Sequence, residues 1–139
     1  MKAVFLCGGI GRRMFPFSEE KYLLTFLGRT LLEHQMEKVA RAGVSDFLII
    51  VGPSARERVA EVVGRVNGTS VELATQEEPR GMGHALLSAR RQLGAGPILL
   101  VSPSDVVEPA AYDSLLAAAR GGRASSYLLG YRVKQYFPG

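Results

Sequence analysis

The chain has 139 residues, 47% hydrophobic and 22% charged, a balance that fits one soluble globular domain burying about two-thirds of its unfolded surface. Seventeen Lys and Arg against thirteen Asp and Glu give a net charge of +4 and a pI near 9.5, yet the basic residues are scattered and not interleaved with aromatics, which argues against a nucleic-acid partner. No apolar run approaches the roughly 20 residues that span a bilayer, and no signal-peptide pattern opens the chain, so a cytoplasmic location with no membrane partner is expected.

In chain order, short apolar runs alternate with helical patterns. AVFLC is a strand, and it leads into a long glycine-rich loop. TLLEHQMEKVARAG follows as a helix that stops at Gly43. FLIIVG is the next strand, and Pro53 and Ser54 then open the helix ARERVAEVVGRV. The pattern continues with strand VELAT, helix GHALLSARRQL, strand PILLVS, helix AAYDSLLAAAR beginning near Pro109, and a last strand SSYLLGYRV. Continuous apolar strands at 47–51 and 98–101 are expected where helices cover both faces of a sheet. The fold class is therefore α/β, a Rossmann-like doubly wound, mainly parallel sheet of at least four strands with the first strand inside it. Gly8, Gly81 and Asp105 should then converge at its C-terminal edge. Residues 121–123 read as a surface turn too short to separate domains, so the whole of 1–139 is taken as one portion of a single domain.

Ligands of open α/β sheets bind at that edge, where glycines let backbone N–H groups surround phosphate oxygens. Gly8, Gly9 and Gly11 supply such a loop, and Arg13 and Lys21 supply cations for a triphosphate. Met14 stands where a dinucleotide fingerprint needs its third glycine, and the GK[ST] of a P-loop is absent; a tight structural turn is the bland alternative. Asp105, after the strand PILLVS, puts a carboxylate at the same edge, able to help hold Mg²⁺ against phosphate oxygens or merely to cap a helix. Gln76 can present both a donor and an acceptor, or be a solvated amide at a strand end. Cys7, the single cysteine, reads as a reduced, packed thiol rather than a nucleophile. His34 reads as a packing or surface residue, and no Cys/His spacing supports zinc.

The segment CGGIGRRMFPFSEEKYLLTFLGRTLLEHQ resembles the opening of the sugar-phosphate nucleotidyltransferases, the NDP-sugar pyrophosphorylases. Gly8, Gly9, Gly11, Arg13, Met14, Pro16, Ser18, Lys21, Gly28, Leu31 and Leu32 match that family's pattern in order. Arg12 stands where the family has Thr or Ser, and Glu20 and Tyr22 stand where prolines flank the lysine. QEEPRGMGHALLSAR is similar to the block of the sugar branch in which a glutamine and a glycine backbone read a pyrimidine, with Met82 in place of Thr. PILLVSPSD resembles the family's strand that ends in Gly-Asp, with Ser104 in place of the glycine.

The resemblance implies the nucleotide-diphospho-sugar transferase fold, of which this chain would be a truncated, nucleotide-binding part. It implies transfer of a nucleoside monophosphate from UTP or dTTP to a sugar 1-phosphate, with release of pyrophosphate and Mg²⁺ as cofactor. The nucleotide contacts would be Cys7, Gly8, Gly9, Gly11, Arg13, Lys21, Gln76 and Gly81. The catalytic set would be Arg13 on the β- and γ-phosphates, Lys21 on the α-phosphate and Asp105 on the metal. His84, in a GxGHA that acetylglucosamine-phosphate uridylyltransferases share, would stand behind these contacts. The molybdopterin or polyol-phosphate branch, using GTP or CTP, and a nucleotide-binding module without turnover remain as alternatives; self-association into a homo-oligomer stays open.

Overall fold

In the computed structural model, which describes residues 1–8 and 20–130, the chain divides into two compact units, Met1–Val106 and Val107–Gly139. The first unit opens with β1 (Lys2–Cys7), and after a short 3-10 turn at Lys21–Leu23 a two-stranded hairpin follows, β2 (Thr25–Phe26) with β3 (Arg29–Thr30). Then come α1 (Leu31–Arg41), β4 (Asp46–Val51), α2 (Arg56–Val63) and β5 (Ser70–Thr75). Two short helices, α3 (Met82–Ser88) and α4 (Arg90–Leu93), precede β6 (Ile98–Val101). The second unit holds α5 (Pro109–Arg120), with proline in its first turn, where the missing N–H costs no hydrogen bond.

β1, β4, β5 and β6 form one parallel sheet in the order β5-β4-β1-β6, so the first strand lies inside it. The expected doubly wound topology follows from this order. Right-handed crossovers from β1 to β4 to β5 put α1 and α2 on one face, and the return from β5 to β6 puts α3 and α4 on the other. The register aligns Val4 with Leu48 and Leu6 with Ile50 and Ala74, and these pack against Ala85 and Ala89. Those two alanines, four apart on the α3–α4 segment, bring the backbone close to the sheet. On the opposite face, Phe5 and Phe47 are fully buried with ring centroids 5.7 Å apart.

The N-terminus of α1 is closed by a capping box. Thr30 Oγ1 accepts from the Glu33 N–H at 3.2 Å, and the Glu33 carboxylate accepts from the Thr30 N–H at 2.7 Å. The sequence T-x-x-E carries that signal. The box fixes where the chain leaves the hairpin, and so fixes the turn bearing Lys21, which a Leu31 N–H to Leu24 carbonyl bond ties to the helix.

Three sequence expectations need correction. The strand at 98–101 is not covered on both faces: Leu99 and Val101 are buried, but Ile98 and Leu100 remain 39% and 44% exposed. β6 is an edge strand, and the core around α3 and α4 is built on β1, β4 and β5, out of reach of that side of β6. The single helix over GHALLSARRQL is broken at Ala89, whose backbone (φ −100°, ψ 12°) leaves the helical region. No strand forms at 125–130, and the rest of SSYLLGYRV lies outside the described residues.

Candidate functional site

β1, β5 and β6 run parallel, so Gly8, Gln76 and Asp105 all follow C-terminal strand ends and share one edge of the sheet. Strand order reverses between β1 and β6, where the connection from β1 leaves toward β4 and the later one returns to β1's other side. This is the switch point at which open α/β sheets leave a crevice for ligands. Gly8 and Asp105 flank it.

The closest packing at this edge is between Gly8 and Gln76. Gln76 continues the β4–β5 ladder by one bond, its N–H donating to the Val51 carbonyl at 2.8 Å, and its side chain then reaches past the end of β4 to β1. A Cβ on Gly8 would lie 2.2 Å from Gln76 Oε1, well inside contact distance, so only glycine leaves room for the carboxamide. Gln76 is 4% exposed, and its Nε2 donates to the Gly81 carbonyl at 3.2 Å and lies 3.2 Å from His84 Nδ1. Gly81 aims that carbonyl with φ 95° and ψ 176°, a backbone region that residues with a Cβ essentially never occupy. The fold thus gathers Gly8, Gln76, Gly81 and His84 into one polar cluster in which Gln76 is buried, Gly8 and His84 are half-buried and Gly81 is exposed. His34, in contrast, stands apart on α1 with Nε2 donating to the Phe26 carbonyl at 2.9 Å.

A second group lies near the end of β1. Cys7 is free and 1% exposed, and burial, reinforced by the Glu20 charge, pushes its thiol well above the usual range. It is a packed thiol. Burial also raises the Glu20 carboxyl, against the opposing pull of Arg58. Tyr22 is 5% exposed, its hydroxyl finds no hydrogen-bond partner among the described residues, and burial pushes its ionisation far up. Sequence reasoning missed Tyr22 as a buried polar group; its one signal was that it replaces an expected proline beside Lys21.

Lys21 is half-buried at the start of its turn, ten residues after Gly11 in sequence. Asp105 is exposed in a turn closed by its N–H on the Ser102 carbonyl at 3.1 Å, and its carboxylate has no ion pair or hydrogen bond among the described residues. An unengaged carboxylate at the switch point suits a cation that keeps waters and phosphate oxygens in most of its coordination sphere, as Mg²⁺ does. No cluster of three or more His, Cys, Asp or Glu forms among the described residues, so an all-protein metal cage is not present there. Gly9, Gly11, Arg12 and Arg13 lie outside the described residues. No described helix is long and apolar enough to cross a membrane.

The doubly wound parallel sheet thus carries Gly8, a buried glutamine and an unengaged carboxylate at its C-terminal edge, the edge at which open α/β sheets bind ligands. Residues 3–136 match the MobA-like NTP transferase domain, and the chain belongs to that family. It is 39% identical over 123 residues to the bifunctional protein GlmU of Rhizobium leguminosarum bv. trifolii, covering 88% of this chain and 26% of that protein. Over 138 residues it is 25% identical to the glucose-1-phosphate thymidylyltransferase of Neisseria gonorrhoeae, covering 96% of this chain and 48% of the relative. The crystal structure of a UDP-glucose pyrophosphorylase complexed with UDP-glucose superimposes with a TM-score of 0.72 at 17% identity, over 88% of this chain and 54% of the other. The chain thus spans between about a quarter and about half the length of these proteins.

Proposed function

We propose that this chain, taken as the nucleotide-binding portion of a single nucleotidyltransferase domain, binds UTP or dTTP and takes part in transferring its nucleoside monophosphate to a sugar 1-phosphate. The observation that carries the reading is the buried Gln76 carboxamide, wedged against Gly8 and tied to Gly81 at the sheet edge where nucleotides bind. A base lying on Gly8 would find the Gln76 oxygen as an acceptor for a ring N–H, which uracil and thymine carry at N3 and guanine at N1, whereas cytosine and adenine present a bare ring nitrogen. The printed names of two similar proteins, a thymidylyltransferase and a UDP-glucose pyrophosphorylase, agree with such a base.

In this reading the glycine backbone from Gly8 to Gly11 and the Arg13 guanidinium hold the β- and γ-phosphates, Lys21 holds the α-phosphate, and Asp105 would hold a Mg²⁺ that offsets the phosphate charge. An oxygen of the sugar 1-phosphate attacks the α-phosphorus, a new P–O bond forms, and the bond to the β-phosphate oxygen breaks to release pyrophosphate. The chain's share of that work is positioning and charge neutralisation, with no covalent intermediate.

The test is pyrophosphate release from UTP, dTTP, GTP and CTP with Mg²⁺ and a panel of sugar 1-phosphates. Release with UTP or dTTP that depends on one sugar phosphate is expected. Nucleotide binding without release under any acceptor would reduce the chain to a binding module, and tighter binding of GTP than of UTP would contradict the base assignment.

A further inference from the structure

Gln76 offers a ligand only one end of its amide. Its nitrogen carries two N–H donors and no acceptor, and two groups surround it: the Gly81 carbonyl, which can only accept, and His84 Nδ1, each at 3.2 Å. Both contacts are satisfied together only when His84 is neutral with its proton on Nε2, leaving a lone pair on Nδ1. With both donors engaged, the amide's remaining group is Oε1, which faces Gly8 and takes no hydrogen bond among the described residues.

We propose that His84 is a positioning residue for base selection: by accepting from Gln76 at Nδ1 it holds the carboxamide with Oε1 toward Gly8, so the site reads a base N–H and rejects a bare ring nitrogen. The inference rests on the base contact proposed above and deepens it. A proton on Nδ1 would set donor against donor. Turning the amide to relieve this would set Oε1 against the Gly81 carbonyl, acceptor against acceptor, and at 4% exposure Gln76 has little water to compensate it. The backbone that carries the ring is also held in place. Ala85 and Ala89 seat α3 on the sheet, and the Ser88 hydroxyl donates to the His84 carbonyl at 2.9 Å. Uracil and thymine present N3–H where cytosine presents an N3 lone pair, so the device separates UTP from CTP.

The experiment compares UTP and CTP affinities of the chain with those of Gln76→Ala, His84→Leu and His84→Asn at fixed Mg²⁺ and salt, and records the ¹⁵N spectrum of the unmodified His84 ring. Gln76→Ala and His84→Leu should each lower the UTP-over-CTP preference by roughly tenfold, the effect of one hydrogen bond in a buried site. His84→Asn, whose side-chain oxygen replaces Nδ1 as acceptor, should keep most of it, and the spectrum should show Nδ1 unprotonated. Preference lost in Gln76→Ala but kept in His84→Leu, or lost equally in both His84 variants, overturns the role of His84. A protonated Nδ1 overturns it whatever the nucleotides do. Preference unchanged in Gln76→Ala sinks the base contact and, with it, the role of His84 in base selection.

Discussion

Gly8→Ala should weaken UTP binding by roughly thirtyfold, about 2 kcal/mol, while the chain stays folded. The added methyl lands 2.2 Å from Gln76 Oε1 and must displace the far end of that side chain rather than any backbone. Gly8 does not have a positive φ, so backbone strain does not enter. What is lost is the arrangement: the carboxamide leaves the Gly81 carbonyl and His84, and the acceptor for the base goes with it. The double variant Gly8→Ala, Gln76→Ala separates this from general damage. Once the carboxamide is gone the methyl has nothing to push, so the double variant should bind UTP as weakly as Gln76→Ala alone, and the two losses should not add. Additive losses, or a Gly8→Ala that binds UTP normally, would show that the tight contact does not support nucleotide binding.

Arg13→Ala is expected to weaken triphosphate binding by ten- to a hundredfold, roughly 1.5 to 3 kcal/mol for a charge-assisted bond to phosphate, and to affect UMP much less. A monophosphate offers only the phosphate that Lys21 would hold, leaving Arg13 no partner. Arg12, which replaces the family's Thr or Ser, is the internal control, and its alanine variant should lose under about 1 kcal/mol as surface charges do. Affinities of UTP and UMP for both variants at fixed Mg²⁺ and salt decide the matter. Equal losses for the two ligands in Arg13→Ala, or a larger loss in Arg12→Ala, would mean that the phosphates meet a different cation.

The four strands of the parallel sheet were legible because their signal is local. The run at 47–51 is buried along its whole length, as unbroken apolar sequence in a parallel sheet requires, and Gly43, Pro53 and Pro109 mark the helix boundaries by their own backbone chemistry. The run at 98–101 reads the same way, yet half of it is exposed. Apolar composition says that a strand can be covered, and only the order of strands in the sheet says whether it is. The break at Ala89 was hidden for a similar reason, since alanine favours a helix and nothing in the local sequence marks the end of α3.

The site was legible in part. Gly8, Gln76 and Asp105 follow strand ends, and strand ends on one edge are gathered by topology alone. The pairing of Gln76 with His84 was not readable, because the two are joined through a turn whose course depends on the positive φ of Gly81. Nor could the unpartnered Tyr22 hydroxyl be read, since burial of that side chain depends on how its turn meets the end of β1.

The central claim is that a pyrimidine base lies against Gly8, Gln76 and Gly81. The most direct measurement is a UTP titration with Mg²⁺, followed through the backbone amide resonances of Gly8 and Gly81 and the side-chain amide of Gln76, with ATP as the comparison. UTP should shift all three together and saturate them with one affinity, whereas ATP should leave the Gln76 side chain largely unmoved. Saturating shifts that fall elsewhere on the sheet and spare Gln76, or that UTP and ATP produce alike, would contradict the account.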